Sequence, residues 1–226
     1  MDSEHRRLVE RLQDKNTSGD GSFRYVEGTL GGNHLILTQC GIGKVSAAVG
    51  ASELIRRFSP DCIVSTGVAG GIDACLKVTD VVASQRLVYH DVWCGDGNEY
   101  GQVQGFPASY EGCSSLLKHA LSLNEAGMES RIHSGLVCTG DQFITNRTEL
   151  DTIKQRFPDG LAVDMESAAI AQTCHLYNVP FLSFRIISDT PGVEDHASQY
   201  ADFWGTMAER SFLTIWTFLS TLPSNL

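Results

Sequence analysis

The amino-acid sequence predicts an α/β fold. Strand-like and helix-like segments alternate along the whole 226-residue chain, the pattern expected of a largely parallel or mixed sheet flanked by helices. In addition, residues 161–192 set four ionisable side chains, Asp164, Glu166, Arg185 and Asp189, inside an otherwise apolar strand–helix–strand stretch. Pro180 to Ser188 reads as a strand buried on both faces, with Arg185 in its middle and Asp189 at its C-terminal end. A guanidinium there must be paired or must hold something. A structural Arg–carboxylate pair is the plain alternative; ligand binding is favoured by position, because open α/β sheets bind ligands at the carboxyl ends of their strands.

The elements follow in order. Residues 2–13 read as a helix, and Asp14–Ser22, DKNTSGDGS, as a short surface loop. Phe23–Leu30 and His34–Gln39 form a hairpin around Gly31-Gly32-Asn33. Cys40-Gly-Ile-Gly43 leads into a helix with apolar positions at Val45, Ala48, Ala51, Leu54 and Phe58, closed by Pro60. Cys62–Thr66 is a short buried strand running into Gly67-Val-Ala-Gly-Gly71, and Asp80–Leu87 is the next strand. Residues 93–110 carry too much Gly and polar character for regular structure, and a loop of that length is often functional. Ser115–Leu123 reads as a helix, Arg131–Thr139 as a strand, Arg147–Phe157 as a short helix and Leu161–Met165 as a strand. A helix from Glu166 to about Tyr177, the strand 180–188 and an amphipathic helix over Phe203–Leu219 complete the chain.

Composition narrows the function. With 42% hydrophobic residues and no evident linker or repeat, residues 1–226 form one domain. Lys plus Arg number 17 against 27 Asp plus Glu, a formal charge of −10 without any basic block, which argues against electrostatic binding to nucleic acid. Seven cysteines without a C-x-x-C pair point to reduced thiols in a cytoplasm, and the histidines lack zinc-ligand spacing, so no metal is expected. The charged N-terminus and the lack of a spanning apolar run argue against export and against a membrane location.

Two glycine clusters, Gly41-Ile-Gly43-Lys44 and Thr66-Gly67-Val-Ala-Gly70-Gly71, could let the backbone approach a ligand, although tight turns are the simpler reading and neither matches a phosphate loop. Phe143, just after a strand end, could stack on a planar ligand or belong to the core. Met165 could be packing, and Glu166 at a helix start has an ordinary dipole rationale.

Together, TGVAGGI (66–72), CGIGKVSAA (40–48), TGDQFI (139–144), VDMESAAIAQTCHLYNVPF (163–181) and RIISD (185–189) closely resemble the 5′-methylthioadenosine/S-adenosylhomocysteine nucleosidases of the nucleoside phosphorylase superfamily, in order and over nearly the whole chain. The resemblance implies a three-layer αβα nucleoside phosphorylase-like fold with a central mixed sheet. The family's first strand, which precedes its M-[DE]-x-E motif, is expected to be missing, since the sequence starts at Met1. It implies hydrolysis of the N-glycosidic bond of an adenine nucleoside, with Asp189 as the acid that protonates the leaving adenine and Glu4 as the base that activates water. Desolvation at a buried strand end would raise the pKa of Asp189, and a neighbouring Arg185 would lower it.

Glu166 resembles the family residue that holds the ribose hydroxyls, with Met165 beneath the sugar. Phe143 would stack on adenine and the Ile144 backbone would read its edge. Val68, Ala69, Gly70, Arg185 and Ser188 are placed at the binding site by the same resemblance. Where the family commonly has Ser or Thr this chain has Val68, which implies one polar contact fewer near the ribose or water. Phe106 and Pro107, in the loop 93–107, are candidates for an apolar lid over the partner subunit's ligand, so a homodimer is expected, without cofactor. A loosely anchored Glu4 would be costly, since a displacement of about 1 Å can cost on the order of 10²-fold in rate. A purine nucleoside phosphorylase, a futalosine hydrolase and a non-catalytic nucleoside sensor remain alternatives. The phosphorylase would need cations at the phosphate position, for which Lys44 and Arg185 are the candidates.

Overall fold

The computed structural model describes residues 2–191, 196–203 and 208–223. The chain opens with helix α1 (Asp2–Arg11) and a three-stranded antiparallel sheet of β1 (Gln13–Asp20), β2 (Phe23–Leu30) and β3 (Asn33–Thr38). Leu30 pairs directly with Asn33, so Gly31 and Gly32 form the two-residue loop between β2 and β3. Both have positive φ, 57° and 85°, which the twist-matched hairpin turn requires. Asp14–Ser22 is not a loop: most of it forms β1, an edge strand whose residues are nearly all exposed. Its polar side chains face solvent on both sides, so no alternation betrays the strand.

Helix α2 (Lys44–Phe58) leads to β4 (Ile63–Gly71), β5 (Val81–Tyr89) and the short β6 (Tyr110–Glu111). Then come α3 (Ser114–Ser122), a single 3-10 turn, β7 (Ile132–Thr139), α4 (Arg147–Arg156), β8 (Gly160–Asp164), α5 (Ser167–Tyr177) and β9 (Phe181–Asp189). The last elements are α6 (His196–Asp202) and α7 (Ala208–Ser220). The helix expected over Phe203–Leu219 is therefore described only from Ala208, and residues 204–207 lie outside the described residues.

The central mixed sheet has the order β6-β5-β7-β8-β4-β9. Parallel pairs are β4–β9, β5–β7 and β7–β8; β9 also pairs antiparallel with β5, which closes the sheet on itself. Alternation along β5 and β9 sends side chains to two opposite cores. Val81, Ala83, Leu182, Phe184 and Ile186 meet α1, α3 and α7 through Leu8, Leu116 and Phe218. Val82, Leu87, Phe181 and Ile187 meet α2 and α5 through Ala47, Ala51, Ala168 and Ala171. These are the three layers that the resemblance implied, and small alanines on α2 and α5 bring both helices close to the strand ends.

The glycine cluster at 67–71 is not a turn, contrary to the simpler expectation: β4 runs through it to Gly71. Glycine is required there for space. A Cβ on Gly70 would lie 2.8 Å from Pro191 Cγ, and one on Gly71 would lie 2.9 Å from Ile187 Cγ2. The cluster at 40–43 does turn, with Gly41 and Gly43 at φ 78° and 86°.

Candidate active site

The carboxyl ends of β8 and β9, with the loops after β3 and β7, enclose one cavity of about 1570 Å³. Asp189 is the last residue of β9 and is buried; Ser188 Oγ donates a hydrogen bond to its Oδ1. Arg185 lies four positions earlier on the same strand, a span of roughly 13 Å.

Arg185 has its own partners. Its Nε lies 2.9 Å from Asp164 Oδ2 and donates to Ser167 Oγ at 3.0 Å, and its Nη2 donates to Ser65 Oγ at 2.9 Å. Asp164 also accepts from Thr139 Oγ1 at 2.6 Å, from Ser167 N and from Ser167 Oγ. This is the structural pair weighed above: two buried charges, each satisfied by the other and by hydroxyls. Although Arg185 lines the cavity, its guanidinium braces the site from below.

Glu166 stands between these groups and the open space. It occupies the N-cap of α5, yet its side chain caps no helix amide. Instead Gly43 N donates to its Oε1 at 3.0 Å, and Arg185 Nη2 lies 4.0 Å from its Oε2. Burial raises its pKa above the usual 4.5; Arg185 and the Gly43 amide pull it down again and Asp164 pushes it up. The result is a desolvated carboxylate held on one side by a backbone amide and turned to the cavity.

Val68, Ala69, Gly70, Phe143, Ile144, Met165, Glu166, Arg185, Ser188 and Asp189 all line this cavity, so the structure gathers these predicted residues. Phe143 is 57% exposed at the mouth, available to a flat ligand, while Ile144 is buried beneath it. Phe106 and Pro107 line a different face: Phe106 packs edge-on against His175, and neither borders the cavity. Glu4 falls within α1, but its side chain lies outside the described residues; its neighbours His5 and Arg6 border the cavity.

Two contributors escaped the sequence reading. Tyr200 of α6 lines the cavity and meets the Phe143 ring edge-on at 5.8 Å. Its helix is tied down where Thr190 N, beside Asp189, donates to Gln199 Oε1 at 2.9 Å. Cys40 also lines the cavity, and burial pushes its thiol above the ordinary range, which keeps it protonated and a poor nucleophile. Lys44, the cation nearest the glycine turn, does not face the cavity, because Asp91 holds its Nζ at 2.8 and 2.9 Å. Residues of β3 (Leu35, Leu37) and β4 (Val64, Thr66) extend the cavity walls away from the strand ends, which is why its volume exceeds the usual small-molecule site. Among the described residues no group of three or more His, Cys, Asp or Glu could hold a metal ion.

The family model of the phosphorylase superfamily matches residues 1–220. A 5′-methylthioadenosine/S-adenosylhomocysteine nucleosidase from Chromohalobacter salexigens is 42% identical over 199 residues, which cover 88% of this chain and 85% of that protein. The crystal structure of the nucleosidase of that name from Neisseria meningitidis, in complex with methylthio-immucillin-A, superposes with a TM-score of 0.92 at 34% identity over 98% of this chain and 96% of that one. The corresponding enzyme from Colwellia psychrerythraea, in complex with adenine, gives a TM-score of 0.93 at 34% identity, covering 100% and 94% of the two chains. The chain belongs to the 5′-methylthioadenosine/S-adenosylhomocysteine nucleosidase family of that superfamily.

Proposed function

We propose that the chain is an N-ribosyl hydrolase that cleaves the N-glycosidic bond of 5′-methylthioadenosine and S-adenosylhomocysteine and releases adenine. The observation that carries this reading is the meeting, in one cavity, of a buried Asp189, a desolvated Glu166 and the exposed Phe143 ring. An acid, a sugar-binding carboxylate and a base platform are the parts the reaction needs.

In that reading adenine stacks on Phe143, and Glu166 accepts hydrogen bonds from the ribose 2′- and 3′-hydroxyls. Asp189, in the role of the acid, gives a proton to N7 as the C1′–N9 bond breaks and the bonding electrons pass to the base. Positive charge on the sugar is stabilised by the nearby carboxylates. Water then adds to C1′ from the opposite side and gives up a proton, which Glu4 accepts in this reading. Cation placement favours water over phosphate, since Asp91 draws Lys44 away and Asp164 engages Arg185. Supplying the protein with methylthioadenosine, with inosine plus phosphate, and with futalosine tests the assignment. Adenine release from the first alone is the expected result, and base release only from the second or third would refute it.

We further propose a homodimer. Ile42, Val45 and Val49 are 72%, 75% and 47% exposed at helical spacing beside the cavity mouth, an apolar stripe suited to a second copy. The loop with Phe106 and Pro107 would then serve the partner's site. Val45→Glu should shift the sedimentation of the protein toward monomer; an unchanged mass would remove this face from the interface. A reducing compartment, the cytoplasm, suits seven free thiols. No helix among the described residues is long and apolar enough to cross a membrane.

A further inference from the structure

Lys44, Asp91 and Asp141 line no part of the cavity, yet Val45, next to Lys44, and Gln142, next to Asp141, do. Three loops meet at Lys44: the turn after β3, the segment after β5 and the segment after β7. Lys44 Nζ donates to Asp91 Oδ1 and Oδ2 at 2.9 and 2.8 Å, while Lys44 N donates to Asp141 Oδ1 at 2.7 Å. Asp141 N closes the triangle by donating to Asp91 Oδ2 at 2.9 Å. The ammonium also lies 5.4 Å from the Tyr89 ring centroid, and Tyr89 OH bonds Gln172 Oε1 at 2.7 Å on α5, the helix headed by Glu166. One residue before Lys44, Gly43 N holds Glu166; two residues after Asp141 stands Phe143.

We propose that Lys44, Asp91 and Asp141 are positioning residues that lock the base platform and the sugar-binding carboxylate at a fixed separation. The proposal rests on the reading that Phe143 meets adenine and Glu166 meets the ribose. A nucleoside spans both loops and feels their spacing, whereas adenine alone follows its own loop. The Lys44 and Asp91 side chains are 24% and 19% exposed, a partly buried pair, so its loss can also lower stability, and binding has to be compared on folded protein.

Calorimetry with a non-hydrolysable methylthioadenosine analogue and with adenine, on the full-length protein, tests this directly. Lys44→Met and Asp91→Asn should each weaken the analogue by about tenfold while adenine changes by less than about threefold, measured well below each variant's melting temperature. The double variant should lose no more than either single one, the signature of two groups acting through one contact. Lys44→Arg, which keeps the charge, should recover most of the affinity. Analogue binding within about twofold of wild type, strictly additive losses, or parallel losses for analogue and adenine would each overturn the clamp. Adenine release by the wild-type protein is read separately, so a failure of the hydrolase assignment would be seen in turnover and a failure of the clamp in binding.

Discussion

The ends of β8 and β9 present the same residue in the same kind of place, a buried aspartate at the carboxyl end of a central strand, and the two have different surroundings. Asp164 is held by a guanidinium, two hydroxyls and an amide. At the end of β9, Asp189 accepts from the hydroxyl of Ser188 and faces the space where the base would leave. Glu166 is engaged by Gly43 N and lies near Arg185, and it lines the same cavity.

Paired substitutions sharpen that contrast. Asp189→Asn should lower kcat on methylthioadenosine by about 10²–10⁴-fold with the melting temperature nearly unchanged, because an amide keeps the shape but supplies no proton. Arg185→Met should do the reverse, costing about 3–5 kcal/mol of stability by leaving Asp164 buried and unpaired, read in denaturant or thermal unfolding. Should Arg185→Met unfold normally and lose only turnover, the pair would be catalytic and the comparison would break.

A smaller effect is expected at Glu166. Glu166→Gln should raise KM for the nucleoside by about 10- to 100-fold, the worth of one or two charge-assisted hydrogen bonds. In the wild type, protonation of Glu166 sets in above the usual 4.5, so KM should begin to climb at a higher pH than an ordinary glutamate would give as the solution is acidified, and Gln should flatten that limb. The matching stability contribution has the opposite sense: a carboxyl with raised pKa favours the folded state at low pH, and this is lost as pH rises from 4.5 through the raised value. A pH profile of KM identical in wild type and Glu166→Gln would assign the titration elsewhere.

Much of this was readable in the sequence because apolar runs interrupted by charges stand out. Strand β9 and the residues Asp164, Glu166, Arg185 and Asp189 were visible for that reason, and motif resemblance supplied Phe143 and Met165. Strand β1 was not, since an edge strand exposed on both faces has no apolar alternation to detect. The glycines of β4 misled because their purpose, room for Pro191 and Ile187, depends on residues more than 100 positions away. Tyr200 was hidden for the same reason: a polar stretch gives no hint that α6 folds back over the strand ends. Which carboxylate Arg185 would choose was likewise a matter of three-dimensional placement.

Rates of Asp189→Asn and wild type on two ribosides test the central claim most directly, one carrying adenine and one carrying a phenolate that departs without protonation. The account predicts a loss of about 10²–10⁴-fold on the adenine compound and little loss on the phenolate. Equal losses on both would show that Asp189 positions the sugar or the water and that the proton comes from another group.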